Sequence, residues 1–86
     1  MIEKMYIDRL RLLPIEEVAD ALGMGIRWHS ALCPFHNDSH PSLHFNRQHN
    51  TYHCYVCGEH GGPIDLVMKR ENLNFHAACH WLADAF

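Results

Sequence analysis

Two stretches decide how this chain folds: CPFH at residues 33–36 and CYVC at residues 54–57. Each places two metal-ligand side chains two residues apart, so that a tight turn can point both donor atoms at one ion. The intervening residues, 37–53, are enough for an out-and-back pair of strands. Two such turns joined by a hairpin predict a closed tetrahedral zinc site with four ligands: Cys33, His36, Cys54 and Cys57.

The size and composition of the chain agree with a small metal-stabilised domain. With 86 residues it buries limited apolar surface, so a metal that ties its loops together is physically reasonable. Apolar residues make up 48% of it, which predicts a folded core. No apolar run is long enough to predict a membrane span, and the N-terminus lacks the pattern of a secretory signal. We therefore expect reduced, metal-bound cysteines in a cytoplasmic protein with no membrane partner.

Helices are predicted on both sides of the two cysteine stretches. Residues 2–12 have a weak amphipathic pattern, whereas 14–22 have apolar side chains at i, i+3, i+4 and i+7. Pro63 predicts the start of a third helix, and Asn74 predicts the N-cap of a last one. With the central strands, this order predicts an α+β fold: a small zinc ribbon, an antiparallel β-sheet with flanking N- and C-terminal helices.

The strands are predicted from alternation and from β-forming residues. Residues 25–32 predict a strand that leads into the first turn, and 42–46 and 51–56 predict a hairpin. We expect Trp28 and Phe45 in the core, and a turn at 37–41.

The whole chain is predicted to be one domain, 1–86. We divide it into an N-terminal helical segment (1–23), the zinc ribbon (25–62) and C-terminal helices (63–86). Because the amphipathic last helix runs to Phe86 with no capping glycine or proline after it, we expect the chain to be a fragment of a longer protein.

Several other side chains could bind metal, and we weigh them by position. His36 is favoured as fourth ligand over His40, His53 and His60, because it has the spacing of a ligand turn. Cys79 lies on the apolar face of the last helix and is expected to pack as a small hydrophobe. His76 and His80 could bind a second metal, but a solvated polar face is favoured because no third ligand is evident.

The predicted ligand set argues against a catalytic metal. A catalytic zinc keeps an open position for water, whereas four protein ligands close the coordination shell. The glycines at 58, 61 and 62 lack the lysine and hydroxyl of a phosphate-binding loop. We identify no catalytic residue in this chain, and whether the whole protein is an enzyme stays open.

The order of these motifs resembles a known family. Residues 33–38, 41–43, 53–58 and 61–68 resemble the N-terminal zinc-binding domain of bacterial DnaG-type and phage DNA primases. The similarity covers roughly residues 14–85. It implies zinc bound by the four turn residues and recognition of single-stranded template DNA during RNA primer synthesis. It also implies that the polymerising chemistry belongs to a separate catalytic domain.

The resemblance implies three kinds of partner: a single-stranded DNA template, the primase catalytic domain, and replication proteins such as a helicase. The net charge of −3 leaves few residues to contact phosphates. The candidate nucleic-acid contacts are Arg27, Arg47, Tyr52, Tyr55, Lys69 and Arg70. Histidines add positive charge only when protonated.

Two alternatives from other classes stay open. The acidic balance fits a zinc-ribbon adaptor whose exposed surface binds another protein. The cysteines and additional histidines fit a redox-responsive or metal-responsive module. The ordered motif match favours DNA binding over both.

Overall fold

A four-stranded antiparallel sheet forms the centre of the chain in the computed structural model, which describes residues 3–37 and 39–86. The helices are α1 (Lys4–Arg11), α2 (Ile15–Ala21), α3 (Pro63–Arg70) and α4 (Phe75–Ala85). The strands are β1 (Ser30–Ala31), β2 (Leu43–Asn46), β3 (Thr51–Cys54) and β4 (His60–Gly61). They pair in sequence order, β1-β2-β3-β4. The predicted α+β zinc ribbon is confirmed, although residue 2 of the predicted first helix lies outside the described residues.

The two C-terminal helices begin where their capping residues predict. Pro63 is the first residue of α3, and the Asp65 carboxylate accepts a hydrogen bond of 3.0 Å from the Gly62 N–H. Asn74 Oδ1 accepts one of 2.8 Å from the Ala77 N–H, which caps α4. Among the described residues, the helices all fall short of the length and apolarity that crossing a membrane requires.

The β2–β3 hairpin has one buried face and one exposed face. Phe45 pairs with Tyr52, and all the residues of β2 and β3 on that side are buried. His44 pairs with His53, and both are exposed. Since side chains alternate along a strand, each residue of β2 and β3 points either into the core or toward the outer face.

The helices cover the buried face of the sheet and form a single core with it. α3 contacts α1, α2, α4 and β4, so it lies at the centre of this layer. The core combines buried residues of the sheet with those of all four helices. Cys79 is among them with no exposed surface, as its position on the apolar face predicts.

The predicted strand over 25–32 is interrupted by a turn that places Trp28 in solvent. Arg27 and Ser30 exchange backbone hydrogen bonds of 2.8 and 3.0 Å across Trp28 and His29. The φ angles of these two central residues are 53° and 61°, as a type I′ turn requires. Trp28 is 94% exposed, so the prediction that it lies in the core is wrong. Phe45, in contrast, is buried as predicted.

Asn50, at the end of the hairpin turn, connects the sheet to the N-terminal helices. Its Oδ1 accepts a hydrogen bond of 2.8 Å from the Ile15 N–H at the start of α2. Its Nδ2 donates to the carbonyl oxygens of Arg11 and Leu13, at 3.0 and 2.9 Å. One side chain therefore satisfies three backbone groups in the connection between α1 and α2.

Candidate metal centre and nucleic-acid face

Four potential ligand atoms converge where the two cysteine turns meet. The ligand atoms of Cys33, His36, Cys54 and Cys57 all lie within 4.8 Å of one another, and no other group of three or more was found in the part of the chain described. The Cys33 and Cys57 sulfurs are 3.7 Å apart, and Cys54 Sγ is 3.9 Å from His36 Nδ1. Two sulfurs bound to one tetrahedral zinc lie about 3.8 Å apart, so this spacing fits the ion.

The sheet register brings the two turns together. Ala31 in β1 pairs with Leu43, and Leu43 pairs with Cys54 in β3, so the first turn begins beside the end of β3. Asp38, which follows this first turn, lies outside the described residues. Within the turns, the Phe35 N–H faces Cys33 Sγ and the Cys57 N–H faces Cys54 Sγ, each at 3.4 Å. These backbone hydrogen bonds orient the sulfurs toward a common point.

Three thiols this close together can all ionise only if a cation lies between them. Burial raises the pKa of the Cys33 thiol well above its ordinary value. Burial acts in the same direction on Cys54, but hydrogen bonds from the Cys57 N–H and the Ser42 hydroxyl outweigh it and lower the pKa of Cys54. Closely spaced thiolates repel one another, so all three can ionise together only beside a positive ion. The three sulfurs and one imidazole are the donor set of a structural zinc site.

The other metal-ligand side chains lie away from this cluster. His53 is exposed on the opposite side of β3 from Cys54, as strand alternation predicts. His60 is exposed, and its Nδ1 lies 3.1 Å from the Gly58 carbonyl oxygen. Cys79 is buried in α4.

The outer face of the sheet carries a cluster of aromatic and imidazole rings. The Tyr55 ring makes an edge contact with His44, with centroids 4.8 Å apart, and a tilted contact with His53 at 4.7 Å. His53 also stacks on His60, with centroids 6.0 Å apart. Tyr55 is 71% exposed, so the cluster presents ring surface to solvent. We call these four residues the ring face.

A groove of about 560 Å³ is lined by three members of the ring face, His44, His53 and Tyr55. It brings together three of the six predicted nucleic-acid contacts: Arg47, Tyr52 and Tyr55. Tyr52 forms the floor with only 1% of its surface exposed, because strand alternation directs it into the core beside Phe35. The Tyr52 ring is therefore not exposed for stacking in this structure, and its contact with nucleic acid stays a prediction.

The remaining three predicted contacts, Arg27, Lys69 and Arg70, do not line this groove. Lys69 contacts the Glu59 carboxylate, and Arg70 lies 3.1 Å from that of Glu71. Each of these two cations at the end of α3 is thus beside an acid.

Acidic neighbours also limit the positive charge of the groove. Arg47 Nε lies 4.0 Å from a Glu16 oxygen that also contacts His29 Nδ1 at 2.7 Å. The groove is therefore built from rings more than from free cations. From sequence, His44 was considered only as a positive charge gained on protonation, although its position between inward Leu43 and Phe45 indicates a ring on the outer face.

An antiparallel ribbon with a Cys/His/Cys/Cys cluster between its turns defines the class of zinc-ribbon proteins. Residues 8–86 match the family model of the CHC2 zinc finger. The chain belongs to this family, which is the zinc-binding domain family of DNA primases. It is accordingly a zinc-binding domain, and the resemblance seen in its motifs is confirmed.

Individual relatives agree with the family. The chain is 35% identical to a DNA primase of Neisseria meningitidis, over 98% of this chain and 15% of that protein. It is 43% identical to a DNA primase of Clostridium acetobutylicum, over 67% of this chain and 10% of that protein. A crystal structure of the Aquifex aeolicus primase, comprising zinc binding and RNA polymerase domains, superposes with a TM-score of 0.77 at 29% identity. The match covers 92% of this chain and 21% of that one.

Proposed function

We propose that this domain binds single-stranded template DNA through the ring face, in support of RNA primer synthesis by a separate catalytic domain. The single observation that carries the proposal is the cluster of exposed rings around Tyr55, lying in a groove on the outer face of the sheet. Membership of the primase family supports it.

In this proposal zinc has a structural role, with Cys33, His36, Cys54 and Cys57 as its ligands. The metal supplies the folding free energy that a chain of this size obtains only in part from its core. His53 and Tyr55 flank Cys54 in sequence, so anchoring that cysteine also fixes two members of the ring face.

The chemistry of the groove suits bases better than phosphates. Every base has a π face that stacks on an aromatic ring, and each such stack contributes about 1–3 kcal/mol to single-strand binding. Arg47 is the lining residue that can contact a phosphate, although Glu16 lies nearby. With about one or two phosphate contacts, the slope of log K against log salt should lie near −0.7 to −1.4.

A fluorescence-anisotropy titration of the zinc-loaded chain with short single-stranded DNA tests this proposal. Tyr55→Ala should weaken binding by about tenfold or more, as the loss of one base stack implies. Tyr6→Ala is the matched control, because Tyr6 is also an exposed tyrosine but lies in α1. Zinc content, measured on each variant, establishes that the fold is retained.

Equal binding by wild type and Tyr55→Ala would contradict the proposed face. So would an equal loss of affinity in Tyr6→Ala, since that would indicate binding elsewhere. A slope of log K against log salt much steeper than expected would indicate that phosphate contacts, and not stacking, are the main interaction.

The template is proposed to pass from this face to a catalytic partner in the cytoplasm, with helicase and other replication proteins as further partners. The test adds the zinc-loaded chain to a primase catalytic domain that lacks its own zinc-binding domain. Restored primer synthesis, lost again with Tyr55→Ala, is the expected result. No restoration at saturating protein would contradict this part of the proposal.

A protein-binding role is the second candidate, and one observation favours it. The apolar side chains of Leu32, next to the first metal-binding turn, and Val56, within the second, are 52% and 68% exposed. If they dock on the catalytic partner, Val56→Ser should reduce primer synthesis in the mixed assay while DNA affinity stays unchanged. If primer synthesis and DNA affinity both fell, the result would indicate that Val56 contributes to DNA binding.

A further inference from the structure

The helix α4 carries two histidines whose rings meet in solvent. His76 and His80 are four residues apart, so they lie one turn apart on the same side of the helix, and both are exposed. Their Nε2 atoms are 3.0 Å apart, and the rings meet nearly edge to face with centroids separated by 4.6 Å. We call them the α4 histidine pair.

From this geometry we propose that the α4 histidine pair is a second metal site, which takes a divalent transition ion such as Ni²⁺, Cu²⁺ or Zn²⁺. This goes beyond the proposed DNA-binding function, since the pair shares no residue with the ring face or with the cysteine cluster.

The distance between the two nitrogens matches simultaneous binding to one ion. Imidazole nitrogens lie about 2.0–2.1 Å from zinc, so two of them bound at angles between square and tetrahedral are about 2.9–3.4 Å apart. The observed 3.0 Å falls within that interval. At this distance one ring can donate its Nε2–H to the other; an ion would lie to one side of the line between the two nitrogens, and the proton on Nε2 would be lost to solvent or shift to Nδ1.

The helix that carries the pair is held in place at several points. Asn74 caps it, and Ala78, Cys79 and Leu82 are buried on its inner side, so the backbone between the two histidines is fixed. A ligand pair that is already positioned loses little conformational entropy on binding. The Cys79 thiol lies between them in sequence but is fully buried, so it does not compete for the ion.

The number and type of ligands define the kind of ion and the strength of the site. Imidazole suits zinc, copper and nickel, whereas magnesium and calcium prefer oxygen ligands. Among the described residues, no third metal-ligand side chain reaches the pair, because the cysteine cluster is the one group of three or more. Water therefore completes the coordination shell, and the ion should exchange far more readily than the one in the cysteine cluster.

Isothermal titration of the zinc-loaded chain with Ni²⁺ tests the site, with native mass spectrometry to verify that the first zinc stays bound. We expect one additional Ni²⁺ per chain, with affinity reduced about tenfold or more in His76→Ala and in His80→Ala. His49→Ala is the control for an exposed histidine outside the pair, and it should bind as the wild type does. Because Ni²⁺ binds only the folded helix in this way, it should also raise the melting temperature of the wild type.

A rearranged variant separates geometry from histidine content. His80→Ala combined with Ala85→His keeps two histidines in α4 but places them nine residues apart, on opposite sides of the helix. It should bind no better than His80→Ala. Wild-type affinity in this variant, no extra Ni²⁺ in the wild type, or displacement of the first zinc instead of added binding would each overturn the proposal.

Discussion

Cys54 is the residue at which the core, the sheet and the metal cluster meet. It is the last residue of β3 and fully buried, and its sulfur lies 3.4 Å from the Ser42 hydroxyl and 3.9 Å from His36 Nδ1. Cys79 is also buried but lies outside the cluster, so a substitution there removes apolar packing and no metal ligand. Substituting each of the two cysteines therefore separates the effect of losing a metal ligand from the effect of changing a buried side chain.

Cys54→Ser should abolish stoichiometric zinc binding and most of the stability of the fold, because metal binding and folding are coupled. Cys79→Ser should lower the free energy of unfolding by about 1–3 kcal/mol, the usual effect of burying an unpaired hydroxyl, and leave zinc content unchanged. Zinc analysis by mass spectrometry and thermal melts followed by circular dichroism measure both effects. Zinc loss in Cys79→Ser would refute the ligand assignment.

Asn50 shows how one polar side chain can hold two parts of the fold together. Asn50→Ala should lower the free energy of unfolding by about 2–4 kcal/mol, because it removes three hydrogen bonds to backbone groups and places alanine at a φ of 57°. Chemical denaturation of the zinc-loaded protein measures the change.

Asn50→Gly is the matched control, because glycine accepts the positive φ but makes none of the three hydrogen bonds. It should recover only the part of the loss that comes from backbone strain. Stability equal to the wild type in Asn50→Gly would show that the hydrogen bonds contribute nothing.

At the level of elements, the turn before β1 is the conspicuous exception to local preference. Type I′ turns favour asparagine and glycine, yet Trp28 and His29 occupy the two central positions with positive φ. Residues held in such conformations cost about 1–3 kcal/mol each. The turn forms although its two central residues are strained and the indole of Trp28 is almost fully exposed.

Trp28→Asn should therefore raise the free energy of unfolding by about 1 kcal/mol, since asparagine adopts positive φ more readily. Denaturant unfolding of the zinc-loaded variant measures it, with DNA affinity followed in parallel. Unchanged or lower stability would mean that the exposed indole makes stabilising contacts that outweigh the strain.

The two cysteine stretches allowed the metal cluster and the hairpin to be predicted from sequence, because ligand spacing and strand alternation are local properties. The outward position of Trp28 was not predictable in this way, since nothing in its neighbours signals a type I′ turn. The burial of Tyr52 could not be decided from sequence, because an aromatic residue suits both a core and a stacking surface, and only the register with Phe45 decides between them. The role of Asn50 depends on helices more than thirty residues away.

For the whole molecule, zinc uptake should release protons. Burial keeps the pKa of Cys33 well above neutral, so that this thiol is protonated at pH 7 until the metal displaces its proton. The apparent zinc affinity should consequently fall as the pH is lowered, and the zinc-dependent part of the stability should fall with it. Zinc titrations by calorimetry in buffers of different ionisation enthalpy measure the number of protons released.

Removal of zinc by a chelator should unfold the domain and abolish DNA binding in the same concentration range, with recovery of both when zinc is restored. Proton release near zero at pH 7, or DNA binding that survives complete zinc removal, would contradict the coupling of metal, fold and ring face.

The alternation along β3 also bears on how such a domain can diversify. Its even-numbered positions, Tyr52 and Cys54, are buried in the core, whereas its odd-numbered positions, Thr51 and His53, lie on the side of the groove. If the ring face binds DNA as proposed, changes at the odd positions should alter which DNA is preferred while the architecture stays intact. Along this strand the fold therefore depends on one set of side chains and the chemistry of the outer face on the other.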